Sequence, residues 1–202
     1  AKSQNSYTLF KIYNPLLSSG NSGGDDASDQ RVSVTLDYLL KKVGFEMYLE
    51  WAKNDFSPTT DHYIRYPFHT QGWTFGSQKA ISLPWGLKGK FLLELTFLEC
   101  SADYDRLIKW YSTFYAHHRV TQGYTNRGQW LGAGIGTGGN SQYLGFTVYH
   151  KKGSVTVFGQ RRNPDLDYSM FIDYRKQAED YKAEADIKAI LDFGISGTYF
   201  IG

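Results

Sequence analysis

Cysteine is almost absent from this chain: Cys100 stands alone among 202 residues, so no internal disulfide forms and no cysteine spacing suits a metal. Long apolar runs are missing as well. No stretch approaches the roughly 18 consecutive apolar residues that a membrane helix needs, which excludes a helical membrane protein. Charge of one sign is also scarce, because 22 Lys and Arg offset 20 Asp and Glu to leave a formal +2, too mild to imply a nucleic-acid partner. The residues after Ala1 do not read as a signal peptide. The expectation is that processing has removed one, that the chain is a fragment, or both.

What is present is aromatic and alternating. Aromatic residues make up 17%, with 16 Tyr and 13 Phe, while the mean hydropathy is -0.45, so a polar chain carries many residues suited to interfaces. Outer-membrane barrels combine these properties, because lumen and loops are polar and only alternate strand residues meet lipid. From Tyr181 to Phe193 the pattern is unbroken: Tyr181, Ala183, Ala185, Ile187, Ala189, Leu191 and Phe193 on one side, Lys182, Glu184, Asp186, Lys188 and Asp192 on the other. Only Ile190 departs from the polar side. The segment is rich in Ala, Glu and Lys, which favours a helix, but a period of two makes it a strand with one apolar and one charged face.

The pattern recurs as hairpins. Val32, Val34, Leu36, Tyr38 and Leu40 lead through Lys41-Lys42-Val43-Gly44 to Phe45, Met47, Leu49 and Trp51. Trp73, Phe75 and Ser77 run on through Ile81 and Leu83 to a turn at Pro84-Trp85-Gly86-Leu87-Lys88-Gly89, then to Phe91, Leu93, Leu95 and Phe97. Leu144, Phe146 and Val148 pair across Lys151-Lys152-Gly153 with Val155 and Val157. A last pair is expected to turn near Asp192-Phe193-Gly194 into Ile195 to Gly202, and a first strand spans about Tyr7 to Tyr13. Connections near 14 to 30, 54 to 71, 100 to 141 and 163 to 178 are long and polar, whereas the hairpin turns are short and often carry Lys. This predicts an all-β transmembrane antiparallel barrel with short periplasmic turns and long extracellular loops. A soluble β-sandwich is the plainer alternative, but its strands are usually shorter and its loops less one-sided. Bacterial barrels have an even number of strands, and about nine are read here. The whole chain, 1 to 202, is therefore expected to be a single barrel domain, incomplete at both ends and part of a larger barrel.

Motifs for chemistry are few. Gly134-Ile135-Gly136-Thr137-Gly138-Gly139 satisfies G-x-G-x-x-G, but the strand Tyr143 to His150 follows it instead of a helix, so a dinucleotide site is not expected. Its glycines suit a tightly folded backbone, a plug or a loop in the barrel mouth. His117-His118 with Ser112 or Ser141 could serve an outer-membrane lipid hydrolase, yet adjacent histidines on extended chain point apart and no G-x-S-x-G occurs. His62, His69 and His150 fall in separate segments, so no metal site is expected. Glu46, Glu50, Glu94, Asp186 and Lys188 are expected to face the lumen, which suits a diffusion porin as well as a binding protein. The connection after Cys100 holds Trp110, Tyr111, Tyr115, Arg119, Gln122, Tyr124, Asn126 and Trp130. Flat rings beside Arg, Asn and Gln are what polysaccharide recognition needs, although an interfacial girdle would use the same rings.

Gln122 to Gln142, with Gly132, Gly134, Gly136, Gly138, Asn140 and Ser141 within it, resembles the glycine-rich signature of the capsule assembly protein Wzi family. The resemblance extends through Asp29-Gln30-Arg31, Gly44 to Asp55 and Arg161 to Tyr168, with Thr137 departing from the pattern. It implies an outer-membrane barrel with a helical portion, of which this chain would be the C-terminal half. The implied role is a surface lectin that attaches or organises capsular or extracellular polysaccharide, in contact with outer-membrane lipid and lipopolysaccharide, without catalytic residues or cofactor. On that basis Arg119, Gln122, Tyr124, Asn126, Trp130, Arg161 and Asp167 are expected to bind saccharide, and Gly132, Gly134, Gly136 and Gly138 to shape the loop. A subunit of an outer-membrane complex is a further alternative.

Overall fold

The computed structural model describes residues 31–54, 60–99, 113–116, 123–167, 169 and 189–201. Seven long strands dominate: β1 (Arg31–Leu40), β2 (Phe45–Asn54), β3 (Gln71–Ser82), β4 (Lys88–Phe97), β7 (Asn140–His150), β8 (Gly153–Asn163) and β9 (Ile190–Tyr199). A two-stranded ribbon of β5 (Thr125–Asn126) and β6 (Gln129–Trp130), and a six-residue helix α1 (Thr60–Arg65), lie within the connections. The long strands form one sheet in the order β1-β2-β3-β4-β7-β8-β9, and every neighbouring pair is antiparallel. Among the described residues β1 and β9 are its two edges and do not pair with each other. Each long strand pairs with the next long strand along the chain, so the connections between them alternate between ends. The turns after Leu40, Ser82 and His150 share one end, and the connections 55–70, 98–139 and 164–189 share the other.

Register turns the sequence alternation into two unlike faces. One row runs Leu36, Leu49, Phe75, Leu95 across β1 to β4, and another runs Phe91, Phe146, Val157, Ile195 across β4 to β9. The opposite face carries Thr35, Glu50, Thr74 and Thr96, then Ser141 and Arg162. Burial is inverted relative to a water-soluble fold. Among the described residues the buried apolar side chains are Leu98 and Phe114, whereas Lys53, Asn54, His69, Thr96, Ser141 and Asp167 are buried and Leu36, Phe193 and Ile195 are 67%, 78% and 74% exposed. Scattered exposed leucines need no explanation; an apolar face continuous over seven strands does.

At the end bearing the long connections this face closes with a polar rim. Arg161 donates to Asn140 Oδ1 at 3.0 Å and Gln142 Oε1 at 2.9 Å, and Asn140 donates to Glu99 at 3.2 Å. Trp51 Nε1 donates to Gln71 at 2.6 Å nearby. At the other end Lys79, which shares the apolar row of Phe45 and Phe91, sends its ammonium to the Val43 carbonyl.

On the polar face aromatic rings lie over glycines. A Cβ at Gly76 would collide with Tyr48, directly opposite on β2, and one at Gly194 would collide with Phe158, directly opposite on β8. The second contact corrects the expected turn at Asp192-Phe193-Gly194. Strand β9 runs straight through those residues, because Gly194 serves close approach of a ring from β8 and not reversal of the chain. Arg162 and Asp192 pair at 2.7 Å across the same two strands, but both are 38% exposed and the pair contributes at most about 1 kcal/mol. The ladder and its ring contacts hold β9 in place.

The three short turns lie where the sequence places them, the second two residues shorter than expected because Lys88 and Gly89 already pair within β4, and Ile190 falls on the polar face as read. Glu46, Glu50 and Glu94 share that face. The expected strand Tyr7 to Tyr13, most of the segment Tyr181 to Phe193, Cys100, His117-His118, Asp186 and Lys188 lie outside the described residues.

Candidate functional site

The glycine-rich segment folds back over the polar face. Two anchors fix it. Leu98 N–H donates to Gly139 O at 2.8 Å, extending the β4–β7 ladder, and Asp167 N–H donates to Gly138 O at 3.1 Å while Asp165 N–H donates to Thr137 O at 3.2 Å. Gly138 has φ +44, and a Cβ there would run into the Thr113 hydroxyl and the Asp167 carboxyl. Only glycine fits. Asp167, 4% exposed, is thus a structural support under the loop.

Tyr115 forms the other anchor. Its hydroxyl accepts the Ala133 N–H at 3.1 Å, its backbone carbonyl accepts the Tyr124 N–H at 3.0 Å, and its ring occupies the space a side chain at Gly132 would need. The ring stacks on Tyr124 with centroids 5.2 Å apart and meets Trp130 at 6.4 Å. The Arg31 guanidinium lies 4.6 Å from the Tyr124 centroid and 5.9 Å from that of Tyr115. Burial pushes the Tyr115 phenol above the ordinary tyrosine range, outweighing the downward pull of the Ala133 bond.

Between this segment and the sheet lies a cavity of about 690 Å³. Its floor is the polar face: Glu50 from β2, Thr74 from β3, Glu94 and Thr96 from β4, Ser141 from β7 and Gln160 from β8. Its roof is Leu131 to Ile135, and Tyr115, Tyr124 and Arg31 form one wall. The volume lies within the range of small-ligand sites, and the lining combines flat rings with hydroxyl, amide and carboxylate groups. No group of three or more His, Cys, Asp or Glu among the described residues could hold a metal ion.

Comparison with protein-family models, with curated proteins and with solved structures finds no match for the chain.

The residues expected to bind saccharide separate into groups. Tyr124 lines the cavity, and Trp130 lies beside Tyr115, 44% exposed at the end of the small ribbon. Asn126 is exposed at the tip of that ribbon, whose Arg127 and Gly128 both have positive φ, 49° and 78°. Arg161 lies on the apolar-face row with Val155 and Val157, engaged with the rim, and so points away from Tyr124. Arg119 and Gln122 lie outside the described residues. Of the loop-shaping glycines, Gly132 and Gly138 have neighbours that leave no room for a side chain, Gly136 sits at φ +81 in a turn closed by its N–H to Ala133 O at 3.1 Å, and Gly134 faces open space. The cavity residues that the loop composition did not single out as a site, Arg31, Glu50, Glu94 and Gln160, are gathered by sheet register.

Proposed function

We propose that the chain is part of the wall of an outer-membrane β-barrel that binds capsular or extracellular polysaccharide at the cell surface. Strands of 10 to 12 residues match the roughly 9–11 residues with which a tilted strand crosses a bilayer. The continuous apolar face supports contact with outer-membrane lipid, and the one-sided distribution of long connections supports a cell-surface end. The observation that carries the binding role is the cavity itself: stacked tyrosines form one wall of a chamber whose floor offers hydroxyl, amide and carboxylate groups. Rings of that kind cover the apolar faces of sugars while the polar groups bond to their hydroxyls. The Wzi-like loop signature points the same way. A segment folded across the polar face favours binding over open diffusion, since it occupies space that a porin keeps clear.

Tyr124→Ala combined with Gln160→Ala tests this reading. Cells carrying the double variant should retain less surface polysaccharide, and the protein in detergent should bind it at least about tenfold more weakly, while it still migrates as a heat-modifiable barrel. Unchanged retention and binding would defeat the proposal, and a steady ion conductance across a planar bilayer would replace it with the porin.

A further inference from the structure

The cavity floor is rich in acceptors. Glu50 and Glu94 both face it, from β2 and β4. Glu94 accepts the Tyr48 hydroxyl, whereas Glu50 has no hydrogen-bond partner among the described residues, although its charge reaches the Tyr115 phenol. The cation that lines the cavity, Arg31, lies over the Tyr124 and Tyr115 rings. A uronic acid entering this space adds a negative charge where two carboxylates face a single guanidinium, and must give up its hydration to do so. An ammonium group meets the opposite situation. It supplies donors to carboxylates in a partly enclosed site, where charge-assisted bonds are stronger than neutral ones.

Resting on the polysaccharide-binding reading above, we propose that the cavity selects a glycan unit bearing a free amine, with Glu50 as the group that recognises the ammonium, and discriminates against uronic acids. The rings of Tyr115 and Tyr124 supply the sugar-stacking surface that all pyranoses share, and the carboxylates supply the preference among them.

Calorimetric titration of the full chain in detergent, with oligomers of glucosamine, of glucose and of galacturonate at equal length, tests the selectivity. Mildly acidic buffer keeps the glucosamine amine protonated and the galacturonate carboxylate ionised. The glucosamine oligomer should bind about tenfold more tightly than the glucose oligomer, the galacturonate oligomer most weakly, and Glu50→Gln should erase the first difference by weakening the glucosamine oligomer more than the glucose oligomer. Equal binding of the amine and neutral oligomers, tighter binding of galacturonate, or an amine preference untouched by Glu50→Gln overturns the selectivity while leaving polysaccharide binding intact. Absence of binding by all three overturns both. Should Glu50→Gln fail to migrate as a folded species, the ranking of the three oligomers on the unaltered protein decides by itself.

Discussion

Gly138 and Gly134 differ by four positions and by everything that surrounds them. At Gly138 the backbone sits at φ +44 and a methyl group would press on Thr113 and Asp167, while at Gly134 nothing lies within 4 Å of where a Cβ would be. Gly138→Ala therefore pays both backbone strain and overpacking, together on the order of 2–4 kcal/mol. Gly134→Ala costs neither. The expected outcome is a lower thermal midpoint in detergent and faster tryptic cleavage at exposed Arg127 for Gly138→Ala, with Gly134→Ala indistinguishable from the parent. Equal behaviour of the two would mean that the loop is not held by the Asp165 to Asp167 strip.

At the scale of elements the turn Pro84–Gly86 poses a similar question in reverse. Trp85 occupies φ 59, ψ 24, a left-handed conformation that suits Asn or Gly, and its side chain is 93% exposed. A tryptophan there costs about 1 kcal/mol of strain relative to the favoured residues, and water contact returns nothing for it. A lipid interface does, because indole prefers the headgroup region. Trp85→Asn is expected to raise the stability of the β3–β4 hairpin by about 1 kcal/mol in detergent, while removing a shallow tryptophan that headgroup-proximal brominated lipids quench in vesicles. Quenching that does not change on substitution would leave the strained tryptophan without this explanation. The same hairpin was legible in the sequence, as were the other two short turns, because alternation fixes which residues share a face and Gly or Lys marks where the alternation stops. Gly194 misled for a physical reason: a glycine that ends a strand and one that admits a ring from the next strand look alike locally, and Phe158 is distant in sequence. The site was legible only in part. Parity assigns Glu50 and Glu94 to the polar face and puts Arg161 with Val155 and Val157 on the other, so its separation from Tyr124 could have been read. The return of Leu131 to Ile135 over the sheet depends on contacts with Tyr115 and with Asp165 to Asp167, which no local pattern encodes.

For the whole molecule, the deciding quantity is the sign of the free energy of placing a charge at the middle of the apolar face. Leu36 is suited to the measurement: it lies at the centre of β1, is 67% exposed, and is paired with Leu49, which is itself opposite Phe75. Water on that face makes Leu36→Arg neutral or favourable, since an exposed leucine gains little and an exposed arginine loses nothing. Hydrocarbon on that face makes the same change unfavourable by about 2–4 kcal/mol at the bilayer midplane. Thr35→Arg, one residue away on the polar face, supplies the control, because a two-residue period puts it on the far side of the wall. Urea titration of folding into lipid vesicles, followed by tryptophan fluorescence, is expected to give a markedly lower midpoint for Leu36→Arg and a small shift for Thr35→Arg. A Leu36→Arg protein as stable as its parent, folded and monodisperse without amphiphile, would place water against the apolar face and remove the basis for a membrane wall.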